Sequence, residues 1–84
     1  MGKPIYYYVY IIQSLKDPHR FYTGFSEDLD ARLNAHNQSK DLHTAKYKPW
    51  KIKTAISFTD REKALDFERY LKSPSGRAFA KKRL

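Results

Sequence analysis

The sequence contains no cysteine, which excludes a disulfide framework and a thiolate zinc site. It also lacks an apolar run approaching the roughly 20 residues that a membrane-spanning helix requires. Its first residues, MGKPIYYYVY, have neither the apolar centre nor the small-residue cleavage site of a signal peptide. Internal repeats and low-complexity tracts are missing too. These absences favour a reducing, cytoplasmic setting and argue against a membrane partner.

Acidic residues are scarce relative to basic ones. Seventeen Lys and Arg residues oppose nine Asp and Glu residues, which gives a formal net charge of +8 over 84 residues. We expect one domain spanning residues 1–84 with a small core, because a chain of this length buries only about 60–65% of its unfolded surface. The charge favours a nucleic-acid partner over a basic surface that serves solubility alone and over a polybasic membrane patch.

Three segments have the composition and alternation of strands. Residues 5–13 and 20–25 are β-branched and aromatic and predict a hairpin joined by a turn at 14–19. Residues 38–49 are polar and predict an exposed basic loop, and the alternation over 50–58 predicts a half-buried strand. Neither face of the first strand is polar, so both faces of the sheet are expected to be covered.

Helical signals occupy the rest of the chain. Residues 26–37 predict a helix capped by Ser26. A second helix, capped by Thr59 in a capping box, is expected to run to about residue 71 and to be stopped by residues 73–76. The basic C-terminal residues predict a short last helix. The element order β-β-α-β-α-α therefore predicts an α+β fold, a three-stranded antiparallel sheet flanked by helices.

Two cationic side chains border the apolar stripe of the first predicted helix. Leu29 and Leu33 define that stripe, and Arg32 and His36 follow them by three residues each. Arg32 and His36 are also four residues apart, so they are neighbours on the helix surface. Two cationic groups side by side repel each other, which favours an anion close to them.

One acid lies within the apolar arc of the second predicted helix. Ala64, Phe67 and Leu71 form the stripe, and Glu68 is the only carboxylate on that side. A carboxylate in apolar surroundings is costly unless it is paired or binds a metal.

Each of these polar residues also has a purely structural explanation. Arg32 and Glu68 would suit an ion pair, and His36 would suit a boundary histidine with satisfied ring nitrogens. Tyr10 and Tyr22, which lie on the paired strands, would suit core aromatics with a hydrogen-bonded hydroxyl. The presence of all five in one small basic domain is more informative than any of them alone.

Taken in order, these residues resemble the GIY-YIG nuclease domain, in particular its small stand-alone bacterial members. Tyr8-Val9-Tyr10 corresponds to the first hallmark tripeptide and Tyr22-Thr23-Gly24 to the second. Arg32 and His36 in DLDARLNAHN match the family's helix positions, and Glu68 in ALDFERYLKS matches its metal-binding glutamate. The resemblance covers about residues 5–83.

The resemblance implies metal-dependent hydrolysis of phosphodiester bonds in DNA, in repair or recombination. Glu68 would hold one divalent ion, Mg²⁺ or Mn²⁺, and Arg32 would bind the scissile phosphate. Tyr10 would position or deprotonate the attacking water, with its pKa lowered by Arg32 or the metal, and His36 is the rival base. Tyr22 would orient the water or the phosphate through its hydroxyl.

The sequence departs from the family pattern at three places. Tyr8 replaces the glycine of the first tripeptide, Thr23 replaces the central isoleucine of the second, and residues 69–84 lack the asparagine that several relatives use. Gly24 is retained, and it would let the backbone pass close to the site. These departures leave a second hypothesis open, a non-catalytic nucleic-acid-binding module, and a third, a protein-interaction domain.

Basic residues outside the five positions are expected to touch phosphates and to give salt-sensitive affinity without sequence information. A protein partner or a second copy of the chain is a candidate for selecting the site of cleavage. The predicted phosphate contacts are Lys46, Lys48, Lys51, Lys53, Arg77, Lys81, Lys82 and Arg83.

Overall fold

The structure is a computed structural model that describes residues 4–38 and 42–84. Three antiparallel strands form one sheet with the order β2-β1-β3, and the helices pack on it, as predicted. Among the described residues, no helix has the length and apolar character needed to cross a membrane. The elements in chain order are β1 (Tyr7–Ser14), β2 (Phe21–Ser26), α1 (Leu29–Asn37), α2 (Leu42–Ala45), β3 (Trp50–Phe58), α3 (Arg61–Leu71) and α4 (Pro74–Arg83).

Both faces of the sheet are covered, because the central strand β1 has apolar side chains pointing both ways. Val9 and Ile11 pack against α3 and α4 on one side, which we call the α3 face. Tyr10 and Ile12 pack with Trp50 and the leucines of α1 on the other side, which we call the α1 face. Alternation along a strand produces this division. Two small cores therefore share one sheet.

A β-bulge divides β3 between these two faces. The pairing of β1 with β3 shifts between Ile11 and Ile12, and Lys53 has no Cα partner in β1. Trp50 and Ile52 consequently pack on the α1 face, whereas Phe58 packs on the α3 face. The half-buried strand is confirmed, but its inward side chains do not share one face. A bulge adds one residue to the count and inverts the alternation beyond it.

The N-terminal caps of α1 and α3 are not the residues predicted from the sequence. Asp28 rather than Ser26 caps α1, and Asp60 rather than Thr59 caps α3, each accepting backbone N–H groups through its carboxylate. Ser26 instead forms hydrogen bonds with the backbone of Asp28. A charged acceptor gains more than a hydroxyl from the positive end of a helix, so the helices begin after the aspartates.

The segment predicted as a basic loop, residues 38–49, contains the short helix α2 and is not simply exposed. Thr44 is buried within it, and the backbone N–H of Tyr47 donates to the carbonyl of Thr44. Residues 39–41 of this prediction lie outside the described residues. The polar composition concealed a turn of helix that packs on the α1 face.

Residues 73–76 begin a helix as well as following one. α3 ends at Leu71, as predicted, but Ser73 caps α4 and Pro74 opens its first turn. Pro at the first helical position is favourable because its missing N–H has no intrahelical partner to lose. Gly76 is buried there, and a Cβ on it would collide with the backbone of Tyr70. This glycine therefore allows α4 to fold back tightly on α3.

Candidate active site

The hydroxyl of Tyr10 lies at the centre of a buried polar cluster on the α1 face. It is 3.0 Å from Nε2 of His36 and accepts a hydrogen bond from Nε of Arg32 at 3.2 Å. Tyr10 is 1% exposed and His36 is 0% exposed. The helix-surface argument from sequence is confirmed to this extent: Arg32 and His36 border the stripe of α1 and meet the same strand residue.

One tautomer of His36 makes these hydrogen bonds continuous. Arg32 has only donors, so the oxygen of Tyr10 accepts from it. With the His36 proton on Nδ1, Nε2 can accept the proton of the Tyr10 hydroxyl. Nδ1 lies 2.8 Å from the hydroxyl of Thr44, which can accept this proton. The chain Arg32–Tyr10–His36–Thr44 is thus continuous.

Thr44 and Trp50 support His36 from behind, and sequence reasoning missed both. The indole N–H of Trp50 donates to the backbone carbonyl of Thr44 at 2.7 Å. The side chain of Asn37 holds the backbone of Trp50 from the end of α1. A threonine in a polar segment carries no sequence signal of this role. The single tryptophan of the chain was the one available clue, because it opens β3 beside that segment.

Gly24 makes room for the phenol of Tyr10. The two residues are directly opposite each other in the β1–β2 ladder. A Cβ on Gly24 would collide with the hydroxyl and ring of Tyr10. The prediction that this glycine permits a close approach near the site stands, and the group that approaches is the tyrosine side chain.

Burial dominates the titration of Tyr10. Its pKa lies above the ordinary value of 10.0, first because the ring is desolvated. The hydrogen bond and the positive charge of Arg32 lower it, and the charges of Tyr22 and Glu68 raise it. The expected depression of the pKa by Arg32 is therefore present but is outweighed by burial. At neutral pH the phenol is protonated.

Arg32 is held in its charged form by the same neighbours. Its pKa is raised, first by the hydrogen bond with Tyr10, and a hydrogen bond with Tyr22 contributes as well. The guanidinium is exposed, in contrast to the phenol beneath it. Because Nε is engaged with Tyr10, the outer nitrogens form the accessible part of the group. This arrangement suits a phosphate, which accepts from a planar fork of donors.

Tyr22 completes the cluster and is more accessible than Tyr10. Its ring centroid is 5.0 Å from that of His36, and the side chain is half-buried. It projects from β2 on the α1 face, the same side as Tyr10 and Gly24. The structure thus brings together four of the five predicted residues by direct contact.

Glu68 approaches this cluster from the other side of the sheet. α3 packs on the α3 face, and the Glu68 carboxylate, 20% exposed, pairs with Lys72 at 3.2 Å. There is no ion pair between Glu68 and Arg32, both of which the structure describes, so the structural bridge considered from sequence is wrong. The charge of Glu68 nevertheless acts on the phenol of Tyr10.

Glu68 would have to hold a divalent ion largely alone. Within the described residues, no group of three His, Cys, Asp or Glu side chains is arranged to bind a metal. Mg²⁺ commonly takes one or two protein carboxylates and completes its shell with waters and substrate phosphate oxygens. A partly exposed carboxylate whose partner is the half-exposed ammonium of Lys72 fits that mode of binding. Lys72 would be displaced as the ion binds.

The predicted phosphate contacts are all exposed, and they are spread over β3, α4 and the segment before β3. Three of them, Lys53, Arg77 and Lys81, line one groove together with Tyr22 and Lys72. The groove places Arg77 on the same side of the molecule as Lys72.

A comparison with protein-family models matches residues 6–83 to the GIY-YIG catalytic domain. The chain belongs to the GIY-YIG family. The resemblance inferred from five residues and two tripeptides is therefore correct for the domain as a whole. The departures at Tyr8 and Thr23 do not remove the chain from the family.

Relatives of this GIY-YIG chain include two fungal proteins. The structure-specific endonuclease subunit SLX1 of Meyerozyma guilliermondii is 38% identical over 79 residues, which cover 84% of this chain and 26% of that protein. The subunit slx1 of Talaromyces marneffei is 35% identical over 71 residues, which cover 77% of this chain and 18% of that protein. The chain thus spans about a quarter or less of these relatives.

A solved structure shares both the fold and much of the sequence. The UPF0213 protein BH0048 of Bacillus halodurans, determined by NMR, superposes with a TM-score of 0.56 at 31% identity, over 92% of this chain and 81% of that one. The GIY-YIG fold predicted here is confirmed by this likeness. The relatives are fungal and bacterial, so they do not decide the expectation of a stand-alone bacterial member.

Proposed function

We propose that this GIY-YIG chain is an endonuclease that hydrolyses phosphodiester bonds in DNA with one divalent ion, Mg²⁺ or Mn²⁺. The observation that supports this most directly is the hydroxyl of Tyr10 held between Arg32 and His36, with Tyr22 beside it. The family match and the net charge of +8 point to the same chemistry.

Arg32 would bind the scissile phosphate. Arg32 is exposed while its Nε donates to Tyr10, so phosphate binding does not require the buried contact to break. The reaction gathers negative charge on the phosphoryl oxygens, and a fixed guanidinium stabilises that charge. Tyr22 would orient the bound phosphate through its hydroxyl, since it also contacts Arg32. Glu68 would hold the divalent ion, which stabilises the leaving sugar oxygen when bound.

Tyr10 and His36 would act as a proton relay, which combines the two rival bases. Tyr10 alone is a poor base because burial raises its pKa. His36 lies behind the phenol, so it would reach the attacking water only through Tyr10. A proton taken from the attacking water by the oxygen of Tyr10 would be matched by transfer of the phenol's own proton to Nε2 of His36. No free phenolate accumulates along this route.

The burial of Tyr10 also supports the second hypothesis, a non-catalytic nucleic-acid-binding module. A hydroxyl that is 1% exposed beneath Arg32 meets water only if Arg32 or Tyr22 shifts. The tyrosine at position 8 and the absence of asparagine in 69–84 favour the same alternative.

Cleavage of branched, nicked and single-stranded DNA with Mg²⁺ or Mn²⁺ separates the two hypotheses. Wild type should cut, and Glu68→Gln should cut at least about a hundredfold more slowly because the ion is lost. Glu62→Gln is the matched control, since Glu62 is an exposed acid on the same helix. Binding of DNA without cutting by all three proteins would overturn the nuclease proposal and support the module.

We also infer a protein partner and a role in DNA repair or recombination. The two fungal relatives are named as subunits of structure-specific endonucleases, which supports a partner that helps to select the site. A second copy of the chain is the alternative partner. A reducing, cytoplasmic setting is our prediction from the lack of cysteine.

A further inference from the structure

A groove of about 910 Å³ crosses the α3 face from the outer strand β2 to α4. It is distinct from the buried cluster around Tyr10, which lies on the α1 face. Its walls bring together side chains from the β1–β2 turn, β3, α3 and α4. The cations among its lining residues are Arg20, Lys53, Lys72, Arg77 and Lys81.

The charge of the groove is of one sign. Among the described residues no acidic side chain lines it, although Arg20 and Lys72 pair with two acids that are not part of the lining, Asp17 and Glu68. Arg77 and Lys81 form no ion pair with any residue in the described part of the chain. Cations gathered along a concave surface attract a chain of negative charges and raise its local concentration. The occupant is therefore a polyanion.

The floor of the groove is apolar, which narrows the class of polyanion. Ile11, Leu71 and Phe21 contribute to it, and Phe21 is 51% exposed. The ammonium of Lys53 lies 5.7 Å from the centre of the Phe21 ring. Duplex DNA presents phosphates and sugars outward and keeps its bases stacked. A single strand offers unpaired bases that stack on an exposed aromatic ring while its phosphates meet cations.

We propose that this groove binds a single-stranded DNA segment, with a base stacked on Phe21 and phosphates on Arg77 and Lys81. The groove reaches the candidate metal ligand, because Lys72, the ion-pair partner of Glu68, lines it. A phosphate that takes Lys72 would free the carboxylate of Glu68. This step rests on the proposed nuclease function. If it holds, the substrate carries a single-stranded arm next to the scissile bond.

Fluorescence anisotropy with a labelled single strand of about 12 nucleotides, and with the matching duplex, tests the groove. The full chain is used in EDTA, so the result does not depend on cleavage. Phe21→Ala should weaken single-strand binding by at least about fivefold and leave duplex binding unchanged, because only unpaired bases stack on the ring. Phe79→Ala is the matched control, since Phe79 is an exposed aromatic outside the groove.

Two further variants keep the test decisive if Phe21→Ala perturbs folding. Phe21→Trp should retain single-strand affinity because it preserves a stacking surface. Arg77→Gln combined with Lys81→Gln should reduce the salt dependence of single-strand binding by a slope of about 1.4, at about 0.7 per phosphate. Equal loss of single-strand and duplex affinity in Phe21→Ala, or no loss of either, would overturn the proposal. Binding in EDTA is measured without the divalent ion, and cleavage is measured separately with it, so a failed groove and a failed nuclease give different results.

Discussion

Gly24 and Tyr10 face each other across the β1–β2 ladder, and the hydroxyl of Tyr10 occupies the space that a side chain at position 24 would fill. This pairing explains why a glycine in the second tripeptide accompanies a tyrosine in the first: the tyrosine ring needs the space that a side chain at position 24 would fill. The phenol enters the α1 face only because its neighbour has no Cβ. Backbone freedom is not involved, since no described glycine has a positive φ.

Gly24→Ala is therefore expected to destabilise the fold by about 1–3 kcal/mol, the usual cost of overpacking, and to displace the Tyr10 hydroxyl from Arg32 and His36. Urea unfolding followed by the fluorescence of Trp50, which is buried beside the cluster, measures the change. In a Tyr10→Ala background the same substitution should cost much less, because the colliding ring is gone. Additive effects of the two substitutions would contradict this account.

Thr44→Val should slow cleavage by more than its loss of folding stability can explain. The substitution preserves shape but removes the hydroxyl that faces Nδ1 of His36 at 2.8 Å. Without it the imidazole loses the partner that keeps Nε2 free to accept the proton of Tyr10. The loss of this buried hydrogen bond also costs about 0.5–1.5 kcal/mol of stability. The readout is the pH profile of the cleavage rate.

For this threonine, a shifted pH profile is what distinguishes control of the His36 proton from simple packing. Thr59→Val serves as the control. Thr59 is exposed and directly follows the last residue of β3, at the opposite end of the strand from Trp50 and Thr44. A Thr44→Val protein that unfolds earlier yet cuts with the wild-type pH profile would show that Thr44 acts only structurally.

Stability should fall at high pH because of Tyr10. Its pKa is raised on folding, so the folded state holds the phenol proton more tightly than the unfolded state does. The resulting stability is fully present below the ordinary tyrosine value of 10.0 and is lost as pH rises from there through the folded pKa. Urea unfolding between about pH 8 and about pH 11.5 measures this loss.

The matched substitutions for the pH series are Tyr10→Phe and Tyr70→Phe. Tyr10→Phe should flatten the decline in stability above the ordinary tyrosine pKa, whereas Tyr70→Phe should leave it unchanged because Tyr70 is exposed. Identical slopes for wild type and Tyr10→Phe would mean that the phenol titrates alike in the folded and unfolded states.

Sequence reasoning reached the residues whose periodicity is local. Arg32 and His36 border the stripe of α1 because helix geometry fixes their angle to Leu29 and Leu33, whatever the rest of the chain does. The two faces of β1 followed in the same way from alternation. These short-range rules predicted the α+β fold class and put Arg32 and His36 beside the apolar stripe, whereas the meeting of these two residues with Tyr10 and Tyr22 was implied by the family resemblance.

What sequence did not reveal depends on long-range pairing. The bulge at Lys53 exists only in the register between β1 and β3, so alternation along β3 alone could not show that its buried residues divide between two faces. Thr44 meets His36 only because α2 folds back over α1. The partner of Glu68 is Lys72, four residues along the chain, whereas Arg32 was the partner considered from the sequence.

Adjacent residues of β1 serve different surfaces, since Tyr10 belongs to the polar cluster and Ile11 to the floor of the groove. Deleting a single residue from this strand would exchange the aliphatic and aromatic sets on both sides at once. An insertion or deletion of one residue in β1 would therefore disrupt both cores. Substitutions of the groove residues on α4, by contrast, would leave the phenol in place, because α4 packs on the opposite face of the sheet.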